Sequence, residues 1–287
     1  MENYKKKNNK SFLRFSLGLF LFLVISSWIY LIFVDGADFS VLINPNNLHE
    51  GKIFISQIFG FGTKSGLILD YKFMKNLLDL TLETLQISII AIGFATLGVI
   101  LSVIPAARNV ADGSLVFRTN WLSWFRFGVI RGLYMFTRAV PELIWALFII
   151  FVFKPGILAG AIALGIHNLG VLGKLCSEVI ENLDTRPVKS LVSSGASQYQ
   201  VLFYGIIPMV MPKFLTYIVY RWEIIIRTTI IVGFIGAGGL GQAFKLAMSY
   251  FKYSEVGLIL LVYIILVWLA DLLSGLTRGA SRKELNN

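Results

Sequence analysis

The sequence has little of what enzymes and metalloproteins use. Its 287 residues include one cysteine, Cys176, and two histidines, His49 and His167. An internal disulfide is therefore impossible, and no His/Cys cluster is available to bind a metal. The chain lacks the G-x-x-x-x-G-K-[ST] loop that binds ATP, the H-E-x-x-H motif and any cluster of aspartates. We therefore expect no cofactor, no metal and no catalytic residues.

Charged residues are also scarce. They make up 15% of the chain, against about a quarter in soluble domains, while 56% of residues are hydrophobic. The formal net charge of +10 would suit nucleic acid, but the basic residues lie mostly at the ends of apolar runs. This placement favours membrane topology signals and contacts with anionic membrane lipids over a nucleic-acid partner.

Long apolar runs indicate a protein that crosses a membrane several times. A helix needs about 20 apolar residues to cross roughly 30 Å of hydrocarbon. We predict an all-α fold, a polytopic bundle of about six transmembrane helices. The predicted spans are 12–34, 80–104, 127–153, 157–176, 213–235 and 256–277.

Basic residues at both ends predict the topology. The N-terminal segment is rich in lysine, and the run after Phe12 is too long for a cleaved signal peptide. Arg278, Arg282 and Lys283 follow the last span. The positive-inside rule then places both termini in the cytoplasm of a bacterial inner membrane. We expect an anchor and outer interfacial segment at 1–78, a transmembrane domain at 79–280 and a tail at 281–287.

The third apolar run is interrupted by the sequence Arg138-Ala139-Val140-Pro141-Glu142. Pro141 lacks a backbone donor and kinks or restarts the helix. Backbone groups freed at such a break can line a cavity. His167, in the next apolar run, is more often a packing residue than a functional one.

After Lys213 at its start, the fifth run carries three charges in its interior. Each costs roughly 2.5–3.5 kcal/mol at mid-membrane on insertion scales. Glu223 and Arg227 are spaced to pair on one helix face, while Arg221 is placed to extend toward the cytoplasmic interface. Two interpretations stay open: self-neutralising pairing near an interface, or a functional role in which Arg221 or Arg227 helps an anion to pass or links the pore to the polar loop before this run.

Gly236 to Gly241 read G-x-G-x-x-G, the fingerprint of dinucleotide-binding folds. That fingerprint requires a preceding strand, and here an apolar helix precedes it. Gly236, Gly238 and Gly239 are better explained by close helix packing or by bending near an outer gate.

A polar stretch at about 178–212 separates the fourth and fifth spans. It divides into two helices around Gly195, which supplies a flexible turn. Ser197 and Gln200 form a capping box for the second helix, which we expect to end at Pro208. On the residues alone, the segment is either an ordinary connecting loop or an element that docks into a partner.

The spacing of this stretch resembles the signature loop of ABC importer permeases. That signature reads Glu-Ala-Ala, three residues, Gly, nine residues, Ile-x-Leu-Pro. The matching positions are Lys189-Ser190-Leu191, Gly195 and Gly205-Ile206-Ile207-Pro208. Glycine and proline match, whereas the triplet and the first isoleucine do not. The resemblance implies a type I importer permease fold in which the loop, including Ala196, docks into a cytoplasmic ATPase.

Further stretches are similar to the phosphonate-type permeases. They include Thr81 to Leu85, Arg138 to Glu142, His167-Asn168, Gly195-Ala196-Ser197, Tyr220 to Glu223, Arg227 and Gly236 to Gly241. This resemblance implies a homodimeric pore, an extracytoplasmic solute-binding protein and a cytoplasmic ATPase dimer. It also implies a phosphonate, phosphite or related phosphorus oxyanion as cargo. Methionine-type permeases share the loop and the Gly-rich end.

Two other classes of function are weighed against a permease. An intramembrane enzyme acting on lipid phosphates would need a nucleophile, a base or clustered ligands, and the chain has only scattered single residues. A structural membrane protein would have no use for Arg138, Glu142 and Arg227 within its spans. The sequence therefore favours a permease subunit, not an enzyme, with ATP hydrolysis in a separate subunit.

Overall fold

The computed structural model describes residues 2–60, 71–115 and 119–286, and every regular element in these ranges is helical. The elements are α1 (Glu2–Phe33), α2 (Ser40–Ile43), α3 (Pro45–Ile58), α4 (Tyr71–Ser102), α5 (Arg108–Ala111), α6 (Trp121–Ala139), α7 (Glu142–Phe153), α8 (Ile157–Glu181), α9 (Thr185–Ser193), α10 (Gln198–Gln200), a π-helical turn (Val201–Ile206), α11 (Ile207–Gly233), α12 (Gly239–Ser249) and α13 (Tyr253–Asn286). The all-α prediction is confirmed.

The chain forms two compact units, Met1–Ser56 and Gln57–Asn287. In the first unit, the apolar stretch Phe12–Phe33 of α1 has none of its side chains buried. The helix α3 has no buried residue either. The predicted boundary at residue 78 and the interfacial position of the segment before it stay predictions, and 61–70 lie outside the described residues.

Among the described residues, five helices are long and apolar enough to cross a membrane, and a bent pair can supply a sixth span. The five are Phe12–Phe33, Tyr71–Ser102, Ile157–Glu181, Gln198–Gly233 and Tyr253–Thr277. The bent pair joins α6 to α7 at an angle of 96°. The count agrees with the prediction, and of the two alternatives at Pro141, a kink or a restarted helix, the structure shows the restart.

The helix α8 lies at the centre of the second unit and packs against α4, α6, α7 and α11. Because lipid tails are as apolar as leucine, such contacts depend on small residues that let backbones approach. Gly165 of α8 meets α4 in this way, since a Cβ there would lie 3.2 Å from the Ala91 carbonyl oxygen. Small residues thus make α8 the helix around which the others assemble.

Two apolar layers cross the bundle at different heights. One contains Ala161 and Leu164 of α8, and the other contains Leu172 and Cys176 of α8. Like α8, the helices α4 and α11 contribute buried residues to both layers. The polar residues of α8 between these two layers therefore lie at an intermediate level of the bundle.

Three sequence-based boundaries were wrong. The second helix of the polar stretch does not end at Pro208, because α10, the π-helical turn and α11 run on to Gly233. Pro208 is tolerated because it lies in the first turn of α11. The helix α4 begins at Tyr71 rather than at 80. Its first turns contain polar residues, so a boundary drawn from apolar residues alone begins too late. The segment read as an outer Gly-rich connection contains a helix, α12.

Candidate functional site

The helices α6 and α8 run antiparallel, and their contacts fix the height of the bend. A Cβ at Gly173 would lie 2.4 Å from the Tyr134 ring, and one at Gly170 would lie 2.2 Å from the Thr137 hydroxyl. The end of α6 therefore lies level with the middle of α8. Arg138 and the break at Pro141 thus lie near the level of the middle of a helix that is long and apolar enough to cross a membrane, and a discontinuous helix at such a level can expose its backbone to a ligand.

Side chains satisfy the carbonyl groups that the bend leaves free. Trp145 Nε1 donates to the Thr137 carbonyl over 3.0 Å. His167 Nδ1 lies 3.0 Å from the Val140 carbonyl oxygen. A carbonyl only accepts, so Nδ1 carries the hydrogen in this contact. This agrees with the interpretation of His167 as a satisfied histidine and gives it a definite role, which is to hold the bend.

Arg221 is bound inside the bundle. Its Nε and one terminal nitrogen donate to Asn168 Oδ1, at 2.9 and 2.5 Å. Asn168 is fully buried and donates to the Leu164 carbonyl over 2.7 Å. Glu142 lies near enough to interact with the Arg221 charge. The expectation that Arg221 extends to the cytoplasmic interface was wrong, because Asn168 offers an acceptor at its own depth.

Glu223 and Arg227 form the ion pair that their spacing predicts. Glu223 is 4% exposed, whereas nearly half of the Arg227 side chain is exposed. The Arg227 carbonyl also accepts a hydrogen bond from Tyr263 of α13 over 2.8 Å. The pair thus neutralises a buried carboxylate and lies beside a contact between two spans.

Arg138 differs from the other two arginines. It is half-buried at the last turn of α6. Within the described residues its guanidinium makes neither a hydrogen bond nor an ion pair, whereas Arg221 and Arg227 both have side-chain partners. The intermediate layer therefore contains one cation whose donors are available to an anion.

The polar stretch after α8 is ordered by local caps. Asp184, which the sequence analysis did not single out, caps α9 by accepting the Arg186 backbone N–H over 3.0 Å. That bond lowers the pKa of the Asp184 carboxyl below its ordinary value, so the cap is charged at neutral pH. Gly195 then turns the chain with a φ of 83°.

The predicted capping box is present at the start of α10. The Ser197 backbone N–H donates to Gln200 Oε1 over 2.8 Å, and the Gln200 backbone N–H donates to Ser197 Oγ over 3.4 Å. The two helices and the turn around Gly195, residues 184–208, are called the docking loop below.

The docking loop is anchored on one side and exposed on the other. Val188 of α9 is fully buried in the same apolar layer as Cys176. By contrast Tyr199 and Tyr204 are 77% and 76% exposed. A concavity of about 410 Å³ lies on this surface and is lined by Leu191, Ser194, Gly195, Ala196, Gln200 and Tyr204. The loop thus presents aromatic side chains from a rigid base.

The departures from the permease signature compensate for each other in space. A Cβ at Gly205 would lie 2.9 Å from Leu191 Cδ1. The signature has a small alanine where this chain has Leu191, and a large isoleucine where it has Gly205. In this chain the large side chain of the pair is therefore on α9, whereas the signature places it on the helical segment that contains residue 205. Lys189 is exposed, and no described residue pairs with it.

The Gly-rich segment is held by α4. Gly236, Gly238 and Gly239 all have positive φ angles. The Gly239 N–H donates to Glu83 Oε2 and the Leu240 N–H donates to Thr84 Oγ1, each over 2.9 Å. A helix, α11, precedes this segment, so the dinucleotide interpretation is rejected on the structure as well. The glycines form a tight turn that starts α12.

Together these features define a polytopic membrane protein with a polar layer at mid-depth and an exposed two-helix loop. Residues 98–283 match the model of the family described as binding-protein-dependent transport system inner membrane component. The chain belongs to this family. It is therefore a membrane-spanning transport subunit of an ABC importer and not an enzyme; ATP hydrolysis belongs to a separate subunit.

The comparisons with individual proteins agree with this. The chain is 36% identical over 197 residues to the phosphite transport system permease protein PtxC of Stutzerimonas stutzeri, covering 69% of this chain and 68% of that one. It is 38% identical over 155 residues to the putative phosphite transport system permease protein HtxE of the same organism, covering 54% and 59%.

The fold is similar to that of a crystal structure of an amino acid ABC transporter with histidines. The TM-score is 0.61 at 17% sequence identity, and the match covers 76% of this chain and all of the other. At this identity the similarity supports the fold alone, which is that of an importer permease.

Proposed function

We propose that this chain moves phosphite, a phosphonate or a related phosphorus oxyanion across the inner membrane by alternating access. The observation that carries the cargo is the 36% identity over 197 residues to a permease named for phosphite transport. A cation without a partner at mid-depth is consistent with an anionic cargo. The uncompensated charge would favour an anion at the point where water is least available.

We place the translocation path along the intermediate polar layer. Arg138 is the proposed contact for the anion, because its donors are uncommitted. Glu142, His167, Asn168 and Arg221 hold the bend and the neighbouring helix in position around it. Glu223, Arg227 and the glycines of the turn, Gly236, Gly238 and Gly239, are assigned to packing and gating farther along the path.

We propose that the docking loop contacts the ATPase subunit. Exposed aromatic side chains on a rigid base are the usual anchors of protein interfaces, and Tyr199 and Tyr204 fit that role. The residues around them shape the surface. They are Lys189, Ser190, Leu191, Gly195, Ala196, Ser197, Gln200, Gly205 and Pro208.

The proposed assembly has two copies of this chain, a cytoplasmic ATPase dimer and an extracytoplasmic solute-binding protein. Both termini lie in the cytoplasm, as the basic residues at each end favour. The docking loop then faces the ATPase, because four spans, an even number, separate it from the N-terminus when the bent pair counts as one span.

Uptake by the reconstituted complex tests the cargo. Proteoliposomes containing the permease, its ATPase and its binding protein should accumulate phosphite in an ATP-dependent manner. Excess methionine should not compete. Uptake of methionine, with none of phosphite or methylphosphonate, would overturn the cargo proposal and leave the architecture intact.

Co-purification tests the docking loop. Tyr199→Asp combined with Tyr204→Asp should release the ATPase from the permease, since two exposed aromatic anchors that the ATPase would cover are replaced by solvated charges. Tyr250→Asp is the matched control, because Tyr250 is 70% exposed in a different loop. Retention of the ATPase by the double variant would exclude this surface as the docking site.

A further inference from the structure

Three segments of the chain meet at the carboxylate of Glu181, the last residue of α8. The Arg131 guanidinium forms an ion pair with Glu181 Oε1. The Arg108 backbone N–H donates to the same oxygen over 2.8 Å. Arg131 Nε also donates to the Ala106 carbonyl over 2.9 Å. One half-buried carboxylate thus joins α6, α8 and the turn that follows α4.

This link is more than a surface ion pair. The side chains of Arg131 and Glu181 are each 24% exposed, and each has a second hydrogen-bonded partner. Next to it, Asn109 Nδ2 donates to the Ile180 carbonyl over 2.7 Å at a buried site. Exposed single pairs contribute little, whereas a partly buried network with several shared partners fixes its elements in one arrangement.

The link lies at one end of the contact between α6 and α8. Gly170 and Gly173 leave no room between α8 and the backbone and Tyr134 ring of α6. The contact of His167 with the Val140 carbonyl closes the other end. Since residues 131–140 and residues 167–181 are joined at both ends of their contact and packed without space between them, we expect a displacement at Glu181 to reach the bend at Val140.

The docking loop is connected directly to this pair. Residues 182–184 alone separate α8 from α9. Val188 of α9 and Ile180 of α8 are both fully buried in one apolar cluster. Movement of α9 by a docked partner therefore displaces the end of α8, where Glu181 lies.

We propose that the Arg131–Glu181 link transmits movement of the docking loop to the mid-membrane bend that carries Arg138. Both are positioning residues and contact neither cargo nor nucleotide. The inference rests on the proposed docking of the ATPase to residues 184–208. It adds the contacts through which movement driven by ATP hydrolysis would reach the translocation path.

Two variants test the link in the reconstituted complex. Glu181→Gln and Arg131→Met should still co-purify with the ATPase and keep its basal hydrolysis. Stimulation of hydrolysis by the phosphite-loaded binding protein should fall about tenfold, as should phosphite transported per ATP, if the lost coupling is of ordinary size. Glu178→Gln is the control, because Glu178 pairs only with Lys174 on the same helix, at 3.4 Å.

Wild-type stimulation in both variants would overturn the proposal. So would loss of the ATPase, or of thermal stability, in proportion to the loss of transport, since the link would then be a structural clip only. A wild-type complex that neither captures the ATPase nor responds to the binding protein would overturn the proposed function, and this inference with it.

Discussion

The docking loop and the intermediate polar layer are stabilised in different ways. In the docking loop, Asp184, Ser197 and Gln200 cap helices within three residues of themselves, and the side chains of Tyr199 and Tyr204 point outward. In the polar layer, bonds such as that from Arg221 to Asn168 join positions far apart in the chain. The loop is locally encoded, whereas the layer exists only when the bundle is assembled.

This difference explains how each region tolerates change. The loop departs from the permease signature at Lys189 to Leu191 and at Gly205 but keeps its shape, because Leu191 fills the space that Gly205 leaves. The polar layer has no such compensation between neighbouring side chains. A lost partner there leaves a polar group or charge buried, which costs several kcal/mol in a low-dielectric environment.

The largest effect is expected in the layer. Arg138→Ala should reduce uptake about 10- to 100-fold, because a hydrogen bond to a charged group contributes roughly 1.5–3 kcal/mol. Assembly should be unchanged, since the Arg138 guanidinium makes no hydrogen bond or ion pair with any described residue. The check is phosphite uptake beside gel filtration of the complex. If the variant takes up phosphite at the wild-type rate, Arg138 is not part of the path. The proposed difference between the docking loop and the polar layer would then be wrong.

The next largest effect is expected where Leu191 of α9 packs against Gly205 of the π-helical turn. Gly205→Ile should destabilise the permease by about 1–3 kcal/mol through overpacking, and Leu191→Ala by a similar amount through a cavity. The double variant should recover most of the loss. Thermal unfolding of the four proteins in detergent measures the coupling. Additive losses would show that the two positions do not compensate.

A smaller effect is expected at the turn of the docking loop. Gly195→Val places a β-branched residue at a φ of 83°, which costs roughly 1–2 kcal/mol. Binding of the ATPase should weaken, as measured by titration with the purified subunit. Gly93→Val is the control, because a Cβ at Gly93 meets nothing within 4 Å. Equal binding by both variants would refute a role for the left-handed turn.

The smallest effects concern the caps. Ser197→Ala should weaken the docking loop by about 1 kcal/mol, equally at all pH values, since a hydroxyl does not titrate there. The Asp184 cap has a lowered pKa, so its contribution is present above the ordinary value of 3.8 and is lost as pH falls through the lower folded value. Hydrogen exchange of α9, which Asp184 caps, and of α10, which Ser197 caps, at neutral and acidic pH distinguishes the two contributions. Protection in α9 that Asp184→Ala leaves unchanged at neutral pH would contradict the cap.

Local patterns predicted part of the fold and of the candidate site. Apolar runs gave about six spans, and the Ser197–Gln200 spacing gave the capping box. The spacing of Glu223 and Arg227 gave their ion pair. The end of the loop helix was missed, because a π-helical turn accommodates Pro208. Arg221 was misplaced because its acceptor, Asn168, is distant in sequence.

The sequence by itself determined that this chain is a helical membrane protein with a capped two-helix loop, since hydrophobic length and capping act within a few residues. The tertiary structure decided which charges are neutralised and which is left free. It brought Glu181 to Arg131, Asn168 to Arg221 and Glu83 to Gly239. Such pairs depend on which helices are neighbours, and helix contacts in a membrane are selected by small residues and shape rather than by local pattern.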